Sequence, residues 1–306
     1  MNQSTHGHSP LGYSLAVIST LLWAGNFIIA RGLSEQIPPV GLAFWRWVTA
    51  TVALAPFALS SLIADWRSIR RHGLYLAVTA LLGITIFNTL IYIAGHSTQA
   101  INLSVITASF PFFIVILARL FYKEPITPAK AVGLTVAVLG VLILITKGSV
   151  STLREMTFAI GDIWVLIGAL SFAGYSILIK RKPPDIRTRS FLLITFFLGT
   201  LFLLPFYLWE HRSGQPIIWT PAVLMVLAYV GVLASLIAFF TWNKAIELLG
   251  PSRTAILYYL TPLFCSLAAA LFLGETIAIS QALSLGLIVA GILIANARHM
   301  TPEPKS

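Results

Sequence analysis

Charge is the scarcest thing in this sequence. Asp, Glu, Lys and Arg make up 10% of its 306 residues, against roughly a quarter in a typical soluble domain. Most of the chain therefore cannot face water. Acidic groups are scarcer still: Glu35, Asp65, Glu124, Glu155, Asp162, Asp185, Glu210, Glu247, Glu275 and Glu303 are all there are. None falls in the middle of a long apolar run, which argues against a proton relay through buried carboxylates. Cysteine is nearly absent. Cys265 alone excludes an intrachain disulfide framework and a cysteine metal cluster. The histidines His6, His8, His72, His96, His211 and His299 sit in tails, loops or helix ends, and neither HExxH, GxSxG nor a phosphate-binding GxxxxGK loop occurs. An intramembrane enzyme would lack its nucleophile, base or metal ligands, and no nucleotide drive lies within this chain. No metal and no cofactor is expected.

What the chain has is apolar surface. Hydrophobic residues reach 58% and the mean hydropathy is +0.89. The relevant unit is the apolar helix of about 20 residues that crosses a bilayer. Ten such spans are predicted, at residues 11–30, 40–63, 74–94, 99–122, 128–146, 160–179, 191–209, 221–245, 252–273 and 280–297. The first follows a polar stretch without Lys or Arg and is too long for a signal-peptide core, so it is expected to stay attached. Connections are short and carry turn or cap chemistry, as at Pro38-Pro39, Thr127-Pro128, Pro183-Pro184, Gly250-Pro251 and Gly274. The expected fold is an all-α integral membrane bundle with no separate soluble domain.

A net charge of +10 does not point to nucleic acid, because the basic residues lie between apolar runs. With the N-terminus in the cytoplasm, the inner side owns Arg67, Arg70, Arg71, Arg119, Lys123, Lys130, Lys180, Arg181, Lys182, Arg187, Arg189, Lys244, Arg253, Arg298 and Lys305. The outer side keeps Arg31, Lys147, Arg154 and Arg212. The positive-inside rule then places both termini in the cytoplasm of a multi-pass protein of a bacterial inner membrane.

The chain also repeats itself. Ser109-Phe110-Pro111-Phe112 leads to Glu124, and Leu260-Thr261-Pro262-Leu263 leads to Glu275 at the same distance. Trp23-Ala24-Gly25-Asn26 runs on to Arg31, and Phe172-Ala173-Gly174-Tyr175 to Lys180; Gly140 and Gly291 also correspond. Two repeats, 11–146 and 160–297, would each hold five spans. An odd number of crossings makes the second enter from the opposite side, an inverted repeat with a solute site expected near the midplane.

These residues resemble a known family. Trp242-Asn243-Lys244-Ala245, Gly250-Pro251-Ser252-Arg253, Tyr259-Leu260-Thr261-Pro262 and Leu273-Gly274-Glu275 look like the second repeat of EamA-type transporters of the drug/metabolite transporter superfamily, ten-helix exporters. The first repeat is similar through Trp23 to Asn26, Phe44-Trp45-Arg46, and Pro111 to Glu124. The resemblance covers about residues 11–297 and implies export of amino acids or other small metabolites.

Polar and aromatic residues inside spans are the site candidates. Arg46, between Trp45 and Trp47, either faces a polar cavity, where it meets a solute carboxylate or fixes the first span, or snorkels to the outer surface beside tryptophan. Trp23, Gly25 and Asn26 form a wall for a solute or a close helix contact, as do their counterparts Phe172, Gly174 and Tyr175. Asn88, Tyr92, Trp242, Asn243, Tyr258 and Tyr259 should face the bundle interior, which is wider than any pocket. Pro111 and Pro262 interrupt backbone bonding and act as hinges or fixed kinks, with Gly25 and Gly174 as further flexible points. Glu124 and Glu275, beside Thr127 and Thr276, read as capping residues.

The expected function is a secondary carrier that exports small amphiphilic metabolites such as amino acids or derivatives by alternating access. The competing reading is a membrane solute sensor or receptor without net transport. Expected partners are a small-molecule solute and the lipid bilayer, with a homodimer left open.

Overall fold

The computed structural model describes residues 9–33, 37–98, 103, 106–154, 157–213, 217–273 and 279–297. Among them every regular element is a helix and there is no strand. In chain order these are α1 (Pro10–Leu33), α2 (Pro39–Ala64), α3 (Trp66–Arg71), α4 (Gly73–Gly95), α5 (Phe110–Tyr122) and α6 (Pro128–Thr146). Then follow α7 (Val150–Arg154), α8 (Ile160–Lys180), α9 (Thr188–Ser213), α10 (Pro221–Leu249), α11 (Pro251–Leu257), α12 (Leu260–Leu273) and α13 (Ile279–Asn296). Six of them, α2, α4, α6, α8, α9 and α10, are long and apolar enough to cross a membrane.

Local chemistry starts several of these helices. Thr127 and Thr220 accept the N–H of Lys130 and Val223 with their hydroxyls, each followed by proline at the first helical position, where a missing N–H costs nothing. The first turn of α2 has no side-chain cap of its own. It borrows Glu210 from the end of α9, whose carboxylate accepts the N–H of Val40 at 3.1 Å and of Gly41 at 2.6 Å. Negative charge at that end also complements the helix dipole.

Two predicted spans are not single helices. The 252–273 run breaks at Tyr258–Tyr259 into α11 and α12, and the 99–122 run turns at Ala108–Ser109 before α5. Each break lies just ahead of a proline. Pro262 has no N–H for the Tyr258 carbonyl, which instead takes the N–H of Thr261 at 2.9 Å. Pro111 sits in the first turn of α5. Pro262 thus marks the break between α11 and α12, and Pro111 opens α5, where a kink in a continuous span was expected. Two further irregularities could not be read from sequence: Leu81–Ile86 within α4 and Tyr229–Ile237 within α10 are π-helical.

The outer surface is apolar. Phe57, Leu74, Phe206, Met225 and Leu293 are all exposed, as lipid-facing side chains must be in a solvent of hydrocarbon. Trp66, Trp209 and Trp219 are exposed too, at positions that suit membrane–water interfaces. Inside, α6 and α13 pack backbone against backbone. A Cβ on Gly133 would strike the Ala295 amide and the Gly291 carbonyl, and one on Gly291 would lie 2.5 Å from the Ala137 nitrogen. Small residues at this seam bring the two helices within direct contact. α1 packs along α10 and α12, α2 along α9, and α8 along α4 and α5.

Candidate functional site

Arg46 fixes the site. It lies two turns into the buried face of α2 and is 1% exposed, so it does not snorkel to the surface. Its Nε donates to the Ser235 hydroxyl, Nη1 to the Tyr92 hydroxyl at 2.7 Å and Nη2 to the Ala234 carbonyl at 2.9 Å. The guanidinium also stands 5.3 Å from the centre of the Trp47 ring. One side chain thereby joins α2 to α4 and α10. The ion pairs among the described residues are Lys180–Glu124, Lys182–Glu247, Arg187–Asp65 and Lys244–Glu247. Arg46 is in none of them.

The π-helical stretch of α10 explains how these partners become available. Wider winding offsets carbonyls from their usual i+4 amides. The Ala234 carbonyl accepts Trp23 Nε1 at 3.0 Å as well as Arg46, and Ser235 Oγ donates five residues back to Val230 at 2.6 Å. In α4 the same spacing recurs weakly, with Asn88 Nδ2 reaching the Gly83 carbonyl at 3.4 Å. Tyr229 Oη donates to the Leu22 carbonyl at 3.1 Å, and Ser19 shares a 2.7 Å bond with Thr241. α1 is therefore held to α10 by three polar ties.

Between these helices lies a small cavity, lined by Trp23, Asn26, Arg46, Phe87, Asn88, Ile91, Tyr92, Phe172 and Tyr258. Its walls come from α1, α2, α4, α8 and the break between α11 and α12. Trp23 is the hinge point of an aromatic wall, with ring centres 5.6 Å from Phe172, 5.0 Å from Trp242 and 6.0 Å from Tyr258. Phe87 stacks on Phe172 at 4.4 Å. The Asn26 carboxamide oxygen is buried without a hydrogen-bond partner.

Six of the sequence candidates, Trp23, Asn26, Arg46, Asn88, Tyr92 and Tyr258, meet at this cavity. Four do not line it. Trp242 packs behind Trp23, and Tyr175 donates to Asn243 at 2.8 Å in the buried contact between α8 and α10. Tyr259 belongs to a separate core around α6 and α13. Of the flexible points, Gly25 lies under the Tyr229 hydroxyl, whereas a Cβ on Gly174 would meet only the tip of Leu82 at 3.2 Å. Phe87 and Ile91 were not singled out in the sequence, although their place beside Asn88 and Tyr92 on one helical face was a usable signal. Ser235 and the Ala234 carbonyl were missed because π winding leaves no mark in an apolar run.

Glu124 does not cap a helix. Its carboxylate accepts Lys180 at 2.7 Å and Ser252 at 2.5 Å, joining the end of α5 to α8 and α11. Tyr122 and Tyr75 donate to the Ile177 and Leu178 carbonyls at 2.6 and 2.8 Å, closing the last turn of α8. Asp65, buried after α2, accepts the Arg187 N–H at 3.0 Å and the Ser190 hydroxyl at 2.7 Å. Glu275 and Thr276 lie outside the described residues.

The model of the EamA-like transporter family matches this chain twice, over residues 10–146 and 159–297. Curated relatives are similar along nearly their whole length. An uncharacterized transporter of Archaeoglobus fulgidus is 26% identical, covering 98% of this chain and 99% of its own. The uncharacterized transporter YyaM of Bacillus subtilis is 25% identical over 95% of both. A probable terminal-alkyne amino-acid exporter of Streptantibioticus cattleyicolor is 25% identical over 93% of both. A solved structure described as "Crystal structure of protein" superposes with a TM-score of 0.75 at 17% identity, covering 93% of this chain and 96% of the other; at that identity the likeness speaks for the fold alone.

Proposed function

The chain belongs to the EamA-like transporter family, and we propose that it is a secondary carrier exporting small amphiphilic metabolites, amino acids or their derivatives, by alternating access. Residues 11–146 and 160–297 form its two five-helix repeats, inverted in polarity, in a bacterial inner membrane with both termini cytoplasmic. The observation that carries this reading is the cavity itself, a buried guanidinium and two carboxamides facing aromatic rings, walled by helices of both repeats. An apolar body with a polar head fits such a lining. The paired helix breaks at Ala108–Ser109 and Tyr258–Tyr259 support it as well, since discontinuous helices recur at carrier sites. The Streptantibioticus relative's printed role as an amino-acid exporter supports the cargo class.

In this reading Trp23, Asn26, Arg46, Asn88, Tyr92 and Tyr258 touch the solute. Tyr175, Trp242 and Asn243 line its route toward the side closed by Glu124, and Tyr259 supports the α11–α12 break. Flux of labelled amino acids and N-acyl or hydroxy derivatives into sealed proteoliposomes tests the proposal. Counterflow that depends on the protein is the expected result; saturable binding without flux makes the protein a receptor.

A further inference from the structure

We infer that the cavity selects solutes with a net negative charge: a carboxylate on an aromatic or branched body, with a neutral hydroxyl or acylamino group in place of a free ammonium. This rests on the reading of the cavity as the solute site and narrows its cargo.

The charge balance carries the inference. Arg46 is buried, and among the described residues its partners are a hydroxyl, a phenol and a carbonyl, all neutral. Dipoles of this kind hold a guanidinium in place without cancelling its charge, and an uncompensated ion inside a protein is strongly disfavoured. No Asp or Glu is among the lining residues. A carboxylate entering the cavity brings the site to neutrality. A zwitterion leaves the excess positive charge where it was, and its ammonium finds no acid to pair with. A cation doubles the charge.

The remaining hydrogen-bond capacity fits the same solute. A guanidinium has five N–H donors, of which three are engaged. Nη1 and Nη2 each keep one, enough for a two-point contact with a carboxylate. Tyr92 accepts from Arg46, so its own proton is left to donate to a carboxylate oxygen. Asn26 supplies the complementary half, a buried oxygen that accepts nothing. An unmet acceptor of this kind calls for one O–H or N–H from the occupant. The rings of Trp23, Phe87, Phe172 and Tyr258 enclose the rest.

The test uses one benzyl body with different heads: phenyllactate, N-acetylphenylalanine, phenylalanine and phenethylamine. Binding is measured by calorimetry on the full chain in lipid nanodiscs at neutral pH, for the wild type, Arg46→Gln and Arg46→Lys, with thermal unfolding of each variant as a control for folding. The two anions should bind roughly tenfold or more tightly than phenylalanine, and phenethylamine most weakly. Arg46→Gln should erase that order and Arg46→Lys should retain part of it. Equal or tighter binding of phenylalanine or phenethylamine overturns the inference, as does an unchanged order in a folded Arg46→Gln protein or failure of every probe to bind. Counterflow of the same compounds in proteoliposomes separates the two levels. Anion-selective binding without flux removes the carrier reading and keeps this one, while flux that ignores head-group charge does the reverse.

Discussion

Lys180 Nζ lies 2.7 Å from Glu124 Oε1, and that pair ties the end of α5 to the end of α8. The other carboxylate oxygen holds Ser252 at the start of α11, and the Lys180 ammonium stands 4.5 Å from the centre of the Tyr122 ring. Residues far apart in the chain are thus gathered by one acid at the rim of the bundle. In the orientation proposed above this rim faces the cytoplasm, and we propose that the cluster closes the cavity on that side.

Releasing this tie should open that side. A cysteine at Ser176, which is fully buried behind the cluster, should react with maleimide in inside-out vesicles about two- to fivefold faster in Glu124→Gln than in the parent, both carrying Cys265→Ser. The ratio corresponds to a pair worth about 0.5–1 kcal/mol, because Lys180 is partly solvated. Lys180→Met should act alike, and the double variant should add little to either single change. Equal rates in all four proteins would remove the closing role.

The same tie has a pH signature. Burial alone would raise the Glu124 pKa, but hydrogen bonds from Lys180 and Ser252, with the Lys180 and Lys130 charges, hold it below its ordinary value. A depressed carboxyl stabilises the closed cluster at pH above its unperturbed pKa, and the contribution is lost as pH falls through the depressed value. Labelling at the Ser176 position, taken relative to a fully exposed cysteine so that the thiolate fraction cancels, should therefore stay flat over about pH 6–8 and rise only in acid. In Glu124→Gln the acid rise should vanish.

Glycine substitutions should rank by what the new Cβ meets. Gly291→Ala and Gly133→Ala push backbone against backbone at the α6–α13 seam and should cost about 1–3 kcal/mol or prevent assembly. Gly83→Ala drives into the Tyr175 ring and Gly25→Ala into the Tyr229 hydroxyl. Tyr229→Phe should recover part of the second loss. Gly174→Ala faces only a leucine methyl and should leave thermal unfolding in detergent nearly unchanged.

Topology can be read by cysteine labelling in intact cells. Arg70 and Arg212 are both exposed. In a Cys265→Ser background, Arg212→Cys should react with a membrane-impermeant maleimide and Arg70→Cys should not, until the membrane is permeabilised. The opposite pattern would invert the orientation drawn from the basic loops.

Apolar run length announced by itself the six helices that are long and apolar enough to cross a membrane, because a segment that cannot face water must bond its own backbone. The internal repeat was legible in the spacing of Pro111 to Glu124 and Pro262 to Glu275, and the family in motifs such as Trp242-Asn243-Lys244-Ala245 and Gly250-Pro251-Ser252-Arg253 that resemble it. So were six of the nine residues that line the cavity, since Trp23, Asn26, Arg46, Asn88, Tyr92 and Tyr258 carry polar groups that must turn inward. Which inward-facing residues share a cavity was settled by tertiary structure. Arg46 and Ala234 are 188 residues apart, and only packing of α2 on the π-helical part of α10 makes them neighbours. Tyr175 and Asn243, equally polar and equally inward, bond to one another and do not line the cavity. One-dimensional patterning records the solvent each residue must avoid; its partner depends on where other helices come to rest.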